Sequence, residues 1–255
     1  MALKLFMIRK LPKTAILLLV FLSSCSSIYI PSVPNTPMLT TKGEIAAGAH
    51  MSLKGNFNFN SAYAVGNHFA VLANGAFMNN EKTSKDISHK MIEIGGGYFD
   101  TFGSNNNRIL EIYAGVGSGS NDRVFREFDN NDVLTGTSIQ KAKYDKKFIQ
   151  VNYSSKKVDN LHLFGVKFAL NYGTALRMSF VKTNDFTINN VLQANENNIF
   201  LEPVFYTRMI LSDEVQLQYT SGSNFGLKSR KFLNAGNSVF SVGAVINLGR
   251  TPKKQ

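Results

Sequence analysis

The sequence predicts an all-β chain: an antiparallel up-and-down transmembrane β-barrel of 10–12 strands, following a signal peptide and a Pro-rich tether. Three observations carry this reading. Period-two alternation of apolar and polar residues recurs from Gly43 to Gly249, with no convincing helical periodicity. The 255 residues include 20 Phe, 9 Tyr and 20 Gly but no Trp, a balance that favours strands and turns. The mean hydropathy of −0.09 is what alternating barrel strands average to. An apolar content of 44% with 18% charged residues argues against a disordered chain. A single Cys excludes an internal disulfide framework and any zinc site needing several thiolates.

Residues 1–24 read as a lipoprotein signal peptide. Lys4, Arg9, Lys10 and Lys13 form a basic segment without an acid, and an apolar run from Ala15 to Leu22 follows. That run falls short of the roughly 20 helical residues a bilayer core requires. Leu22-Ser23-Ser24-Cys25 then resembles the lipobox of bacterial lipoproteins. The resemblance implies that Cys25 becomes the acylated first residue, with palmitate among its chains. In that family an Asp after the Cys keeps the protein at the inner membrane. Ser26 here implies delivery to the outer membrane, with a lipid-anchored N-terminus on the periplasmic side. Removal of the four cations lowers the net charge from +11 to +7.

Residues 25–42 carry Pro31, Pro34 and Pro37, which disfavour helix and ladder pairing, so an extended tether between lipid and domain is expected. The barrel occupies 43–249, and 250–255 form a polar tail. Alternation is written out in Ile45/Ala47/Ala49/Met51, in Phe69/Val71/Ala73/Phe77, in Ile92/Ile94, and in Leu110/Ile112/Ala114/Val116. It continues in Ile149/Val151/Tyr153, Phe164/Val166/Phe168/Leu170, Leu176/Met178/Phe180, Leu217/Tyr219 and Phe240/Val242/Ala244/Ile246. With Phe57/Phe59/Tyr63/Val65 and Ile199/Leu201/Phe205/Met209, eleven strand candidates result. An even number requires ten, if 148–186 hides an over-split strand, or twelve, if 224–233 adds one. Stretches 78–89 and 120–146 read as long polar external loops, and Lys141, Lys143, Lys146 and Lys147 as a solvated run that could meet anionic lipopolysaccharide or polysaccharide.

Alternation alone does not say which face meets lipid. A lipid-anchored periplasmic barrel with an apolar ligand inside alternates in the same way. Two features favour the membrane. The polar face carries Gly48, Gly95, Gly97, Gly115, Gly117, Gly165 and Gly243, which would weaken exposed strands but relieve crowding inside a narrow barrel. Its charges nearly balance: Glu44, Glu93, Glu111 and Glu202 against Lys167, Arg177 and Arg208, an interior ionic network. A Lys or Arg at the bilayer midplane on the lipid face would cost about 2–4 kcal/mol. Tyr29–Glu44 with Asn60–Val71 resembles a group of uncharacterised outer-membrane β-barrel lipoproteins. The last strand, Ser241–Leu248, resembles the signal read by the outer-membrane barrel insertion machinery, although six residues follow it after Gly249. These resemblances imply outer-membrane lipid and that machinery as partners.

No catalytic site is expected. His50 and Ser52 share a strand face with Glu44, as a triad would need, but the barrel reading turns them into the lumen. His68, His89 and His162 lack metal-ligand spacing, so neither a metal nor another cofactor is expected. Gly95-Gly96-Gly97 opens no helix and makes no phosphate loop. Nucleic acid is not expected, since no basic surface surrounds the tyrosines. Inward Tyr113, Phe200 and Tyr206 would obstruct a pore, and inward His50 and Ser52 would not reach lipid, which makes a narrow porin-like channel or a lipid-modifying enzyme the lesser readings beside a structural, binding or assembly component.

Overall fold

A computed structural model describes residues 27–163, 165–234 and 238–249, without the side chains of 157 and 158. The signal peptide, Cys25 and the tail 250–255 lie outside the described residues. Ten long strands form the wall: β1 (Ile45–Ser52), β2 (Phe57–Ala64), β3 (Phe69–Lys82), β4 (Lys85–Phe102), β5 (Arg108–Phe128), β6 (Leu134–Leu163), β7 (Val166–Ile188), β9 (Asn197–Ile210), β10 (Val215–Gly222) and β12 (Val239–Leu248). Two-residue strands β8 (Val191–Leu192) and β11 (Phe225–Gly226) add short ladders at the rim.

Each wall strand pairs antiparallel with the next wall strand, β7 with β9 past β8 and β10 with β12 past β11. The ring closes where β1 meets β12, from Ile45 opposite Leu248 to Ser52 opposite Ser241. Closure removes every free edge of the wall, which is how a sheet satisfies its backbone in lipid. The over-split reading of 148–186 is therefore the correct one: the 164–171 candidate, from Val166 onward, and the 176–180 candidate are both parts of β7.

The wall is uneven. β1, β2 and β10 are 8 residues long and β12 is 10, whereas β4, β5, β6 and β7 run to 18, 21, 30 and 23. The expected external loops 78–89 and 120–146 are instead strand, turning at 83–84 and 129–133. Their polar alternation is the continuation of the hairpins beyond the apolar belt. At the opposite end, β6 and β7 also extend past the wall. A register shift between Ser155 and Asp159 precedes the pairs from Asp159–Leu170 to Leu163–Val166. Gly165, read as a mid-strand glycine, sits in the tight turn of this hairpin at φ 79°, where a Cβ would be strained.

The outward face is apolar. Met51, Phe59, Phe69, Ile92, Ile94, Val116, Ile149, Leu176, Phe205 and Val242 are all exposed there. The inward face holds Glu44, Glu93, Glu111, Arg177, Glu202 and Arg208, each 2% exposed or less. This is the arrangement of an outer-membrane-type barrel and the reverse of a soluble ligand carrier. Tyr63, Tyr98 and Tyr219 point outward, as an interfacial girdle requires. Inward glycines make room for large rings: a Cβ on Gly115 would lie 2.5 Å from Phe148, and one on Gly173 would lie 2.2 Å from Tyr206.

Candidate functional site

The lumen is occupied by the chain itself. Residues 27–39, expected as a tether outside the domain, are buried throughout except at half-buried Ile30. The segment is extended and outside the ladders, as three prolines dictate, yet it crosses the barrel from end to end. At the long-hairpin end, Arg123 Nη1 donates to the Ser27 carbonyl at 3.1 Å and Asn121 Nδ2 to that of Ile28 at 2.6 Å. The Ile28 amide donates to the Phe232 carbonyl at 3.0 Å. At the other end the segment enters β1 through Gly43, whose amide donates to the Ala64 carbonyl at 2.9 Å.

A buried backbone must be hydrogen-bonded, and an unpaired segment cannot use a ladder, so wall side chains supply the partners. Midway, the Val33 amide donates to Asn58 Oδ1 at 3.1 Å, and Gln150 and Asn152 donate to the Asn35 carbonyl at 2.6 and 3.1 Å. Asn35 in turn donates to Asn74 Oδ1 and the Ser61 carbonyl, both at 2.8 Å. The prolines lack an N–H, which leaves three fewer donors to satisfy in this space. Apolar side chains of the segment fill what remains. Tyr29 stacks on Phe200 at 4.8 Å and meets Tyr144 edge-on at 5.7 Å, and Leu39 packs with Ala64, Leu72 and Phe99.

Six of the charged residues read as interior face the lumen, Glu44, Glu93, Glu111, Arg177, Glu202 and Arg208, and most of them bond the N-terminal segment as well as the wall. Near the long-hairpin end, Glu93 lies 2.7 Å from Lys146 Nζ and 3.5 Å from Arg177 Nη1, and accepts from Asn74 at 3.2 Å. Arg177 also donates to Gln150 at 2.8 Å and to the plug's Ser32 Oγ at 3.1 Å. Glu202 accepts from the Tyr29 hydroxyl at 2.7 Å. Toward the other end, Glu111 accepts from the Leu39 amide at 3.2 Å, Asn152 at 3.0 Å and Tyr113 at 3.1 Å. Arg208 donates to Gln218 at 2.6 Å and to the carbonyl and hydroxyl of Thr36. Glu44 closes this end by accepting from Thr40 and Thr41.

Lys167 does not belong to the network. It is exposed in the β6–β7 extension, opposite His162, where β5 and β9 no longer flank the hairpin and neither face is lumenal. Lys146, assigned to a solvated run, is fully buried instead and is the nearest cation to Glu93. Its signal was parity. The inner series Gln150 and Asn152 continues backwards through Phe148 and Lys146 once β6 is not cut at 148. His89, inward on β4, was also missed; its Nε2 lies 2.9 Å from the Tyr144 hydroxyl.

His50 and Ser52 form no triad. His50 is buried, Ser52 Oγ accepts the Asn56 amide at 3.0 Å, and Glu44 is committed to Thr40 and Thr41. Among the described residues no group of His, Cys, Asp and Glu is placed to hold a metal ion.

No protein-family model and no curated protein matches the chain. Solved structures do. The chain is similar to the translocator domain of the autotransporter NalP from Neisseria meningitidis, at 12% identity and TM-score 0.43, covering 81% of this chain and 76% of that one. A weaker similarity, at 9% identity and TM-score 0.23, is to the FpvAI–pyocin S2 complex, covering 86% of this chain and 42% of that one.

Proposed function

We propose that this chain is an outer-membrane β-barrel lipoprotein, sealed by its own N-terminal segment, with no catalytic site and with a structural, binding or assembly role at its long-hairpin end. One observation carries the proposal: residues 27–39 fill a polar lumen while the outward face is an apolar belt. A filled polar lumen has no room for an apolar ligand, and the same segment lies across any diffusion path. Cys25 acylation rests on the lipobox.

The threading also changes the expected position of that lipid. Barrels of this kind keep short turns in the periplasm and longer connections outside. Here the short turns 65–68, 103–107 and 211–214 and the barrel C-terminus share one end, while Ser27 lies at the other. Two extended residues reach at most about 7 Å, and on that ground we infer that a lipid on Cys25 would sit at the end where Ser27 lies. In this reading the acyl anchor is on the outer face rather than in the periplasm.

The proposal is tested in the membrane fraction. The full chain should migrate differently before and after boiling, as closed barrels do, and a Cys25→Ala form should still require detergent. A Cys25→Ala form that is soluble without detergent would overturn the membrane reading. An epitope placed between Ser26 and Ser27 should bind antibody on intact cells, and detection only after permeabilisation would return the anchor to the periplasm. In planar bilayers the full chain should give no large stable conductance steps.

A further inference from the structure

At the long-hairpin mouth of the lumen lies a cavity of about 350 Å3, floored by the plug at Ile30 and Val33. Four cations line it: Lys54 in the β1–β2 turn, Lys82 and Lys85 at the β3–β4 tip, and Arg123 on β5. None of its described lining residues is acidic. The nearby carboxylate of Asp86 is engaged elsewhere, paired with Arg126 at 2.5 Å. Lys85 Nζ and the Arg123 guanidinium share the Phe125 ring, at 5.0 and 5.8 Å from its centroid. Arg123 is 2% exposed and held by its bond to the Ser27 carbonyl, so this positive charge is fixed in place. The charges of Arg123, Lys54 and Lys82 all act on Lys85.

Holding like charges together in a concave site costs free energy that an anion would offset. We propose that this cup binds a phosphoryl group. Lys and Arg suit a compact, multiply charged oxyanion, the ammonium groups as point charges and the guanidinium as a fork. The rim supplies two routes to the site. One is the mouth of the lumen, between the β1–β2 turn and the β3–β4 tip. The other crosses the rim where it is low, on the side of the 8-residue strands β1 and β2, where Leu53 is 89% exposed beside the Phe57, Phe59 and Phe77 cluster. A lipid headgroup at the bilayer surface could enter over that wall, and a free phosphate through the mouth. The site does not depend on the membrane reading, because inorganic phosphate alone would occupy it.

The test uses the full chain in dodecyl maltoside, with acetylation of Lys85 read by mass spectrometry. Inorganic phosphate should protect Lys85, and Lys54→Gln or Arg123→Gln should raise the half-protecting concentration about tenfold, the worth of one charge-assisted bond. Lys143→Gln, on the outer face of β6, should leave it unchanged. A retained gel shift on boiling checks that each variant folds. In a second arm the protein is placed in phosphatidylcholine vesicles with or without phosphatidic acid. Protection by phosphatidic acid without added phosphate assigns the group to a headgroup; protection by phosphate alone assigns it to the solute. Lys85 unprotected in both arms, or protection unchanged in folded Lys54→Gln and Arg123→Gln, would overturn the proposal.

Discussion

The two ends of the lumen satisfy their charges in different ways. Toward the long hairpins, Glu93 takes its cations from the wall itself, Lys146 on β6 and Arg177 on β7. Toward the short turns, neutral groups hydrogen-bond Glu111 and Arg208, and the plug's own backbone is among them, through the Leu39 amide and the Thr36 carbonyl. The first layer would remain paired if the plug withdrew. The second would lose partners on both a buried carboxylate and a buried guanidinium. One layer holds the wall together, and the other fastens the segment to it.

The strongest way to break this contrast is to remove the plug. Deletion of 27–42 should strip the Leu39 amide from Glu111 and the Thr36 carbonyl and hydroxyl from Arg208, at about 1.5–3 kcal/mol for each bond to a buried charge that is lost. The barrel should unfold at a much lower temperature in the boiling-shift gel, and the preparation should show conductance that the full chain lacks. A deletion form as heat-resistant and as closed as the parent would show that the segment is not structural.

Glu93→Gln attacks the other layer. It leaves Lys146 and Arg177 buried, 0% exposed, with no carboxylate between them. Unfolding should become easier by about 3–5 kcal/mol, read as faster loss of the folded band on heating. Lys146→Met beside Glu93→Leu should restore part of it, since one buried cation, Arg177, rather than two is then left without a carboxylate. A double variant as weak as the single one would mean that packing, rather than charge, holds this layer.

Between these in kind stands Tyr29→Phe, which removes one bond from the plug to Glu202 and keeps the ring stacked on Phe200. A hydrogen bond to a charged group contributes about 1.5–3 kcal/mol, so the gel-shift temperature should fall by less than in Glu93→Gln. An unchanged temperature would place the grip of this end in the ring alone.

What the sequence reveals of all this follows from the range of the interactions. The wall is legible because alternation is local: the parity of Ile92 and Ile94 against Glu93, or of Leu176 and Met178 against Arg177, already assigns each to lipid or lumen. The strand count is harder, because the polar stretch from Ser120 to Lys147 carries no more local apolar signal than a loop, although pairing along the β5–β6 hairpin makes it strand. The plug is least legible. Its partners stand far along the chain, Tyr29 with Glu202 and Thr36 with Arg208, and three prolines in a polar stretch read as a solvated linker. A signal was there in Ile28, Tyr29, Val33, Met38 and Leu39, more apolar surface than a tether in water has use for, now buried to 1% or less.

The mildest change is Glu111→Gln, and it tests the contrast most finely. The carboxylate accepts three bonds: Oε1 takes the Leu39 amide and the Tyr113 hydroxyl, and Oε2 takes Asn152 Nδ2. A Gln in the same rotamer keeps the first two on its carbonyl oxygen and sets an amide nitrogen against Asn152. Asn152 retains its bond to the Asn35 carbonyl, so a single mismatched contact remains, at about 1–2 kcal/mol. No cation lies bonded to Glu111 to be stranded, unlike Lys146 beside Glu93. The gel-shift temperature should therefore fall less in Glu111→Gln than in Glu93→Gln, although both remove one buried charge of the same sign. Equal losses would mean that Glu111 answers chiefly to Arg208 through space, and that both ends of the lumen are held by charge alone.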